Sequence, residues 1–232
     1  MSRIRCYAVI LVAVGTLWSG DALSQGTSPD LTELIQQANA GDAMAQFRLA
    51  NAYDSGRGAA RDAKEAMRWY RAAAELGLAE AQNSVGSGLQ AEKRYAEALT
   101  WYEKAASQKH AMATNNLAYL HDLGLGVPQD RLKAFALYGK AADLGLAEAM
   151  WNLTNMVGAG QVGQPPDLAA ACVWAVKAQR YAAPDERQLQ AQLRRVMPEF
   201  QRRLTSEQWG ACRDQAFAWT PPEMANRSDL PK

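Results

Sequence analysis

The sequence predicts an all-α fold, a right-handed α/α superhelical solenoid of helix-turn-helix repeats closed by capping helices at both ends. Three observations carry this prediction. The stretch AMAQFRLANAYDSGRGAARDAKEAMRWYRAAAELGL, beginning at Ala43, returns in altered form from Ala79, Ala111 and Ala147, with periods of 36, 32 and 36 residues. Each copy divides into two halves with apolar residues at helical spacing, and no strand-like alternating run of any length occurs. A repeat of this period marks units that cannot bury their apolar faces alone and must stack on one another.

In the first copy, Ala45, Leu49, Ala52 and Tyr53 form one helical stripe. Ala66, Trp69, Tyr70 and Ala73 form a second at i, i+3, i+4 and i+7. Between them, Asp54-Ser55-Gly56-Arg57-Gly58 breaks the helix, because glycine tolerates positive φ and is unfavourable inside a helix. Small residues recur in the first helix at Ala45, Ala81, Ala113 and Ala149, and in the second at Ala66, Ala98, Ala134 and Ala171. They allow close helix approach. Three residues after the second series come Trp69, Trp101, Leu137 and Trp174, large enough to fill the gap between neighbouring hairpins.

The motifs Ala-x-Ala-Gln, Gly-x-Gly, Asp-x-x-x-Ala-x-x-Trp-Tyr and Ala-Ala-x-x-Gly resemble Sel1-like repeats, relatives of the tetratricopeptide repeat. Gln46 and Gln82 match the first-helix glutamine, whereas Thr114 and Met150 depart from it. Gly56-Arg57-Gly58 and Gly124-Leu125-Gly126-Val127-Pro128 match the loop. The second copy lacks that loop; the fourth has a longer one, 158–166, and Ala175 in place of the aromatic. The resemblance covers about Asp30 to Tyr181. It implies the solenoid fold but no particular partner, since such repeats serve many.

Outside the repeats, Met1 to Ser24 reads as a secretory signal peptide. Arg3 and Arg5 precede a short apolar core, Tyr7 to Trp18, and Ala22-Leu23-Ser24 offers small residues for cleavage after Ser24. The core is too short to span a membrane comfortably, and Cys6 precedes it, where no lipoprotein acceptor lies. The expected location is therefore the periplasm or the exterior, without membrane insertion after cleavage. The segment holds Arg3, Arg5 and Asp21, so the remainder carries equal numbers of basic and acidic residues. That balance argues against nucleic acid or an anionic membrane as partner.

Leu31 to Ala40 places Leu31, Leu34, Ile35 and Ala38 on one face and should cap the N-terminal end of a solenoid spanning 30–181. Residues 182–220 should cap the other end. One helix is expected to start at Pro184-Asp185-Glu186, run to about Leu204 with Leu189, Leu193, Val196, Met197 and Phe200 inward, and kink at Pro198. Thr205-Ser206-Glu207-Gln208 is a capping-box signature before a second helix, Glu207 to Trp219. The remaining residues, 221–232, read as a disordered tail.

Catalytic and metal chemistry find little support. Besides Cys6, the cysteines are Cys172 and Cys212, and in an exported chain they suggest a disulfide joining the last repeat to the cap. Two buried free thiols are the alternative. The only histidines, His110 and His121, have no metal-ligand spacing around them. No serine precedes a lysine by three residues, as a β-lactamase-like nucleophile requires. Gly86-Ser87-Gly88 is no nucleophile elbow and reads as a loosely packed turn of helix. No cofactor is implied.

The candidate site is the face of the first helices, which line the concave side in stacked hairpins. Its rows are Arg48, Ser84, Asn116 and Asn152; Asn51, Ser87, Tyr119 and Asn155; and Phe47, Asn83, Asn115 and Trp151. Asparagines both donate and accept, so a ladder of them can pair with an extended peptide backbone. Phe47, Tyr119 and Trp151 would supply anchoring area. Polar residues on a merely solvated face are the competing reading. The expected function is a non-catalytic adaptor or scaffold of the cell envelope that binds a protein or peptide. The alternatives are an accessory or hydrolytic protein acting on the cell wall, and a self-associating structural component.

Overall fold

The computed structural model describes residues 31–222; the expected signal peptide and nearly all of the expected tail lie outside the described residues. Eleven helices occur among the described residues: α1 Leu31–Asn39, α2 Ala43–Ser55, α3 Ala63–Glu75, α4 Ala79–Ala91, α5 Tyr95–Ser107, α6 Ala111–Leu123, α7 Arg131–Asp143, α8 Ala147–Gly158, α9 Leu168–Tyr181, α10 Arg187–Arg203 and α11 Ser206–Ala218. The four repeats are the hairpins α2–α3, α4–α5, α6–α7 and α8–α9, each packed on the next through its second helix. Helix α1 packs on α2, while α10 and α11 pack on α9. The described part is thus all-α and built of sequential helix pairs.

Each hairpin closes by one backbone rule. The residue before the second helix donates its N–H to the same first-helix position in every copy: Asp62 to Tyr53, Arg94 to Leu89, Asp130 to His121 and Asp167 to Val157, at 2.9–3.1 Å. Loop length varies between copies without altering this bond. Asp62, Asp130 and Asp167 also cap their helices by accepting backbone N–H groups of the first turn, satisfying donors that a helix start leaves open. Arg94 makes no such side-chain cap in the shortened copy.

Junctions between repeats are equally regular. Asp42, Leu78, His110 and Leu146 donate their N–H groups to Gln37, Ala73, Ala105 and Ala141, the bond of a Schellman-type helix end. The residue before each donor lies in the left-handed region, as Gly41 at φ 90°, Gly77 at 95°, Gly145 at 90° and, without glycine's freedom, Lys109 at 60°.

Alanine lines the helix contacts, and Tyr102 and Tyr138 are the largest side chains buried among them, each at most 2% exposed. Gly86 faces the Tyr102 ring so closely that a Cβ there would lie 2.6 Å from Tyr102 Cε1, and a Cβ on Gly88 would meet the Met67 methyl. The Gly86-Ser87-Gly88 turn is therefore tightly packed, contrary to the expectation of looseness. Its glycines are read better as room for neighbouring side chains.

The C-terminal cap departs from expectation at both of its ends. Pro184 and Asp185 form a turn, and α10 begins only at Arg187, with the Glu186 side chain accepting the Ala183 N–H. Helix α10 is one unbroken helix containing Pro198, with Leu189, Leu193 and Phe200 buried. The capping box forms as expected, joining Thr205 and Gln208 reciprocally. Pro221, placed in the tail by its composition, is fully buried, so the folded part reaches at least that residue.

Candidate functional site

The first-helix face lies on α2, α4, α6 and α8, and its residues divide into two groups. Asn116 Nδ2 donates to Asn83 Oδ1 at 3.1 Å, and Asn152 Nδ2 donates to Asn115 Oδ1 at 3.0 Å. These bonds run between neighbouring repeats. Asn115 is only 3% exposed, so this expected partner-binding residue is buried and holds two repeats together instead. Asn51 Oδ1 accepts the Tyr70 hydroxyl at 2.7 Å, and the Tyr102 hydroxyl reaches Ser87 Oγ at 3.3 Å and Gln90 Oε1 at 3.0 Å. The second-helix tyrosines thereby fasten the first-helix face from behind.

Much of the face remains accessible, including residues that make these bonds. Arg48, Asn51, Tyr119 and Asn155 are exposed; Phe47, Asn83, Asn116, Trp151 and Asn152 are half-buried. Phe47 leans on Tyr70, with ring centroids 5.8 Å apart. The row is brought together as a surface, and its C-terminal end forms a recess. There, a cavity of about 530 Å³ lies between α8 and the start of α10. It is lined by Trp151, Asn152, Glu148, Glu186, Arg187 and Leu189, among others. Burial, and secondarily the nearby Glu186, raises the Glu148 carboxyl above its ordinary value. Three acidic residues, Glu148, Asp185 and Glu186, outnumber the one guanidinium, Arg187, on the lining, and beside an indole and an amide they suit a further cationic group. Glu148 was missed in the sequence. Its signal was Ala147-Glu148-Ala149, echoing Ala79-Glu80-Ala81. Glu186 had none, because only the fold brings the turn before α10 to α8.

A second constellation was also missed, on the second-helix side. Lys177 is buried, with Nζ 4.1 Å from the Trp174 ring and 4.2 Å from that of Trp219. Burial pushes its amine down to about 8, against a smaller upward pull from Asp143. Trp219 also meets Tyr181 edge-on at 5.9 Å. Arg180 Nη1 donates to the carbonyls of Ala216, Phe217 and Trp219 at 2.9, 3.3 and 3.0 Å. Beside these contacts, the Cys172–Cys212 disulfide ties α9 to α11, with Cα atoms 6.0 Å apart. The expected bond is therefore present, and α9 carries the whole C-terminal cap.

The histidines take structural places. His110 caps α6, its Nδ1 accepting the Ala113 N–H at 3.1 Å. His121 is buried, and among the described residues neither ring nitrogen has a hydrogen-bond partner. Among the described residues no group of His, Cys, Asp and Glu could hold a metal ion, and no helix is long and apolar enough to cross a membrane.

Stacked helical hairpins with capped ends and an open first-helix face define a helical repeat solenoid. The Sel1 repeat model matches residues 43–78, 79–110, 111–146 and 147–178, and the chain belongs to the Sel1 repeat family. Among solved structures, it is similar to c5321, a protective antigen present in uropathogenic Escherichia coli strains and displaying an SLR fold. The identity is 27%, the TM-score 0.71, and the match covers 87% of this chain and 44% of that one. The chain thus spans less than half the length of that antigen. A Sel1 repeat protein from Oxalobacter formigenes is 25% identical with a TM-score of 0.63, covering 81% of this chain and 78% of its own. A sel1 repeat protein from Klebsiella pneumoniae subsp. pneumoniae, at 24% identity and TM-score 0.50 over 64% and 72% of the two chains, shares the fold. No curated protein matches the chain.

Proposed function

We propose that this protein is a non-catalytic interaction module that takes an extended segment of a partner protein along its first-helix face. A basic group of the partner seats in the recess beside Trp151. One observation carries the reading: the recess at the end of the asparagine row, with Glu148 and Glu186 on its wall and Trp151 only partly buried. Tyr119 and Asn155 extend the contact surface toward the preceding repeat. Asn83 and Asn116 keep donors and acceptors beyond their mutual bond, since an amide offers two of each. The Cys172–Cys212 bond supports work in an oxidising compartment, the periplasm or the exterior.

The test is crosslinking in cells with tagged full chain, beside a variant carrying Tyr119→Ala, Glu148→Gln, Trp151→Ala and Asn155→Ala. These four substitutions leave the Asn83–Asn116 and Asn115–Asn152 bonds intact, so the helical signal should be unchanged. The expected result is a partner captured by the parent chain and lost from the variant. A partner captured equally by both overturns this assignment of the face.

A further inference from the structure

On the second-helix side of the solenoid, the third repeat departs from its sisters at two positions of one junction. Trp69, Trp101 and Trp174 occupy one position of the second helix; in the third repeat that position is Leu137. First-helix glutamines Gln46 and Gln82 reach back to the carbonyls of Ala38 and Ala74. In the third repeat the counterpart is Thr114, whose hydroxyl instead donates to the carbonyl of His110, the N-cap of α6. Two truncations therefore coincide at one junction. They leave a cavity of about 450 Å³ between α5 and α7, floored by Leu117, Leu137 and Ala106 and edged by Lys140 and Leu144. That volume falls within the roughly 300–1,000 Å³ of ligand pockets.

In the fourth repeat Trp174 fills that position, and a second ring gathers against the same lysine. Trp219 is held there by Trp174, Lys177 and Tyr181, while Arg180 grips the incoming backbone. Counted along the second helix, Trp174, Lys177 and Tyr181 correspond to Leu137, Lys140 and Leu144. All three of these line the third-repeat cavity. Lys104 and Lys177 each lie 4.1 Å from the indole three residues earlier in their own helix. Lys140 keeps the lysine position, but Leu137 offers it no ring. The third repeat thus retains the cation and the aliphatic walls of an aromatic site and lacks the aromatic.

We propose that the groove between α5 and α7 binds one aromatic side chain, tryptophan or phenylalanine, presented by an extended segment of a partner protein. The partner ring lies on Leu117 and Leu137 with the Lys140 ammonium over its face, as the Trp101 ring lies beneath Lys104. This site is on the opposite side of the hairpins from the asparagine row and stands independently of it.

The experiment is a methyl NMR titration of the full chain with N-acetyl-tryptophanamide, with N-acetyl-leucinamide as comparison. The expected result is saturable shifts at the Leu117, Leu137 and Leu144 methyls, larger for the indole. Leu137→Trp inserts the residue that three sister repeats already carry, and should weaken binding at least about tenfold by filling the groove. Lys140→Ala, at an exposed position, should weaken it by roughly threefold. No saturable shift at these methyls, or binding unaltered by Leu137→Trp, overturns the proposal. A concentration-dependent dimer lost on Leu137→Trp would make the occupant a second copy of this chain and overturn the partner reading.

Discussion

Gly86 lies against the ring of Tyr102, and a Cβ added to Gly86 would approach Cε1 of that ring to 2.6 Å. Helix propensity alone would favour Gly86→Ala by about 1 kcal/mol. The ring is fixed by its own burial and by hydroxyl bonds to Ser87 and Gln90, so it has nowhere to yield. Gly86→Ala should therefore destabilise the chain by about 1–3 kcal/mol through overpacking. Urea denaturation checks the sign; a raised midpoint would mean that the ring moves freely.

Cys172 and Cys212 are 40 residues apart and both buried. Closing a loop of that length stabilises by about 3–4 kcal/mol in the chain-entropy model. A Cys172→Ser, Cys212→Ser chain should lose about that much. Because α9 carries α10 and α11, amide exchange should quicken first in α11 and around Trp219, with α2 to α5 little changed. Uniform quickening along the chain would refute a local role for the bond.

The repeat frame was legible because every copy must solve the same packing problem with residues at the same spacing. Ala81, Ala113 and Ala149 could be aligned without any coordinates, and all three are fully buried. The disulfide was legible for a different reason, a compartment argument combined with two cysteines. What the sequence hid were relations that cross elements. Glu186 meets α8 only through the turn before α10. Trp219 reads as the end of a helix until its ring is seen beside Lys177. Asn115 reads as one more rung of a binding ladder, and nothing in its spacing distinguishes it from Asn116. Its burial follows from the angle between neighbouring hairpins, which the sequence does not state.

That difference within the asparagine row can be measured. Asn115→Ala removes the acceptor for Asn152 at a site only 3% exposed, and should cost about 1–3 kcal/mol. Tyr119→Ala, at a side chain 40% exposed, should change stability by less than about 0.5 kcal/mol. Thermal or urea unfolding of the two variants separates the residue that holds repeats together from the residue available to a partner. Equal losses would mean that Tyr119 is structural as well.

His121 sits where Tyr53 and Leu89 sit in the earlier repeats, buried and, among the described residues, without a hydrogen-bond partner for either ring nitrogen. Burial first, and Lys133 second, depress its proton affinity, while Asp130 and Glu103 act in the opposite sense. His110 is depressed too, chiefly by burial, and protonation of its Nδ1 would abolish the cap it gives Ala113. For both residues the unfolded chain binds the proton more readily than the folded one. Stability is therefore fully present above the ordinary histidine value of about 6.5 and falls as pH drops through it toward the lower folded values. His121→Leu, which installs the residue found at Leu89, should remove its share of this slope. At pH 7 it should also stabilise by about 1–2 kcal/mol, since two buried polar atoms disappear. Combining it with His110→Asn, which keeps a capping acceptor, should flatten the dependence between pH 7 and 5 further. Urea midpoints at several pH values measure both effects. An unchanged slope in the double variant would assign the acid sensitivity to the carboxylates and sink the histidine account.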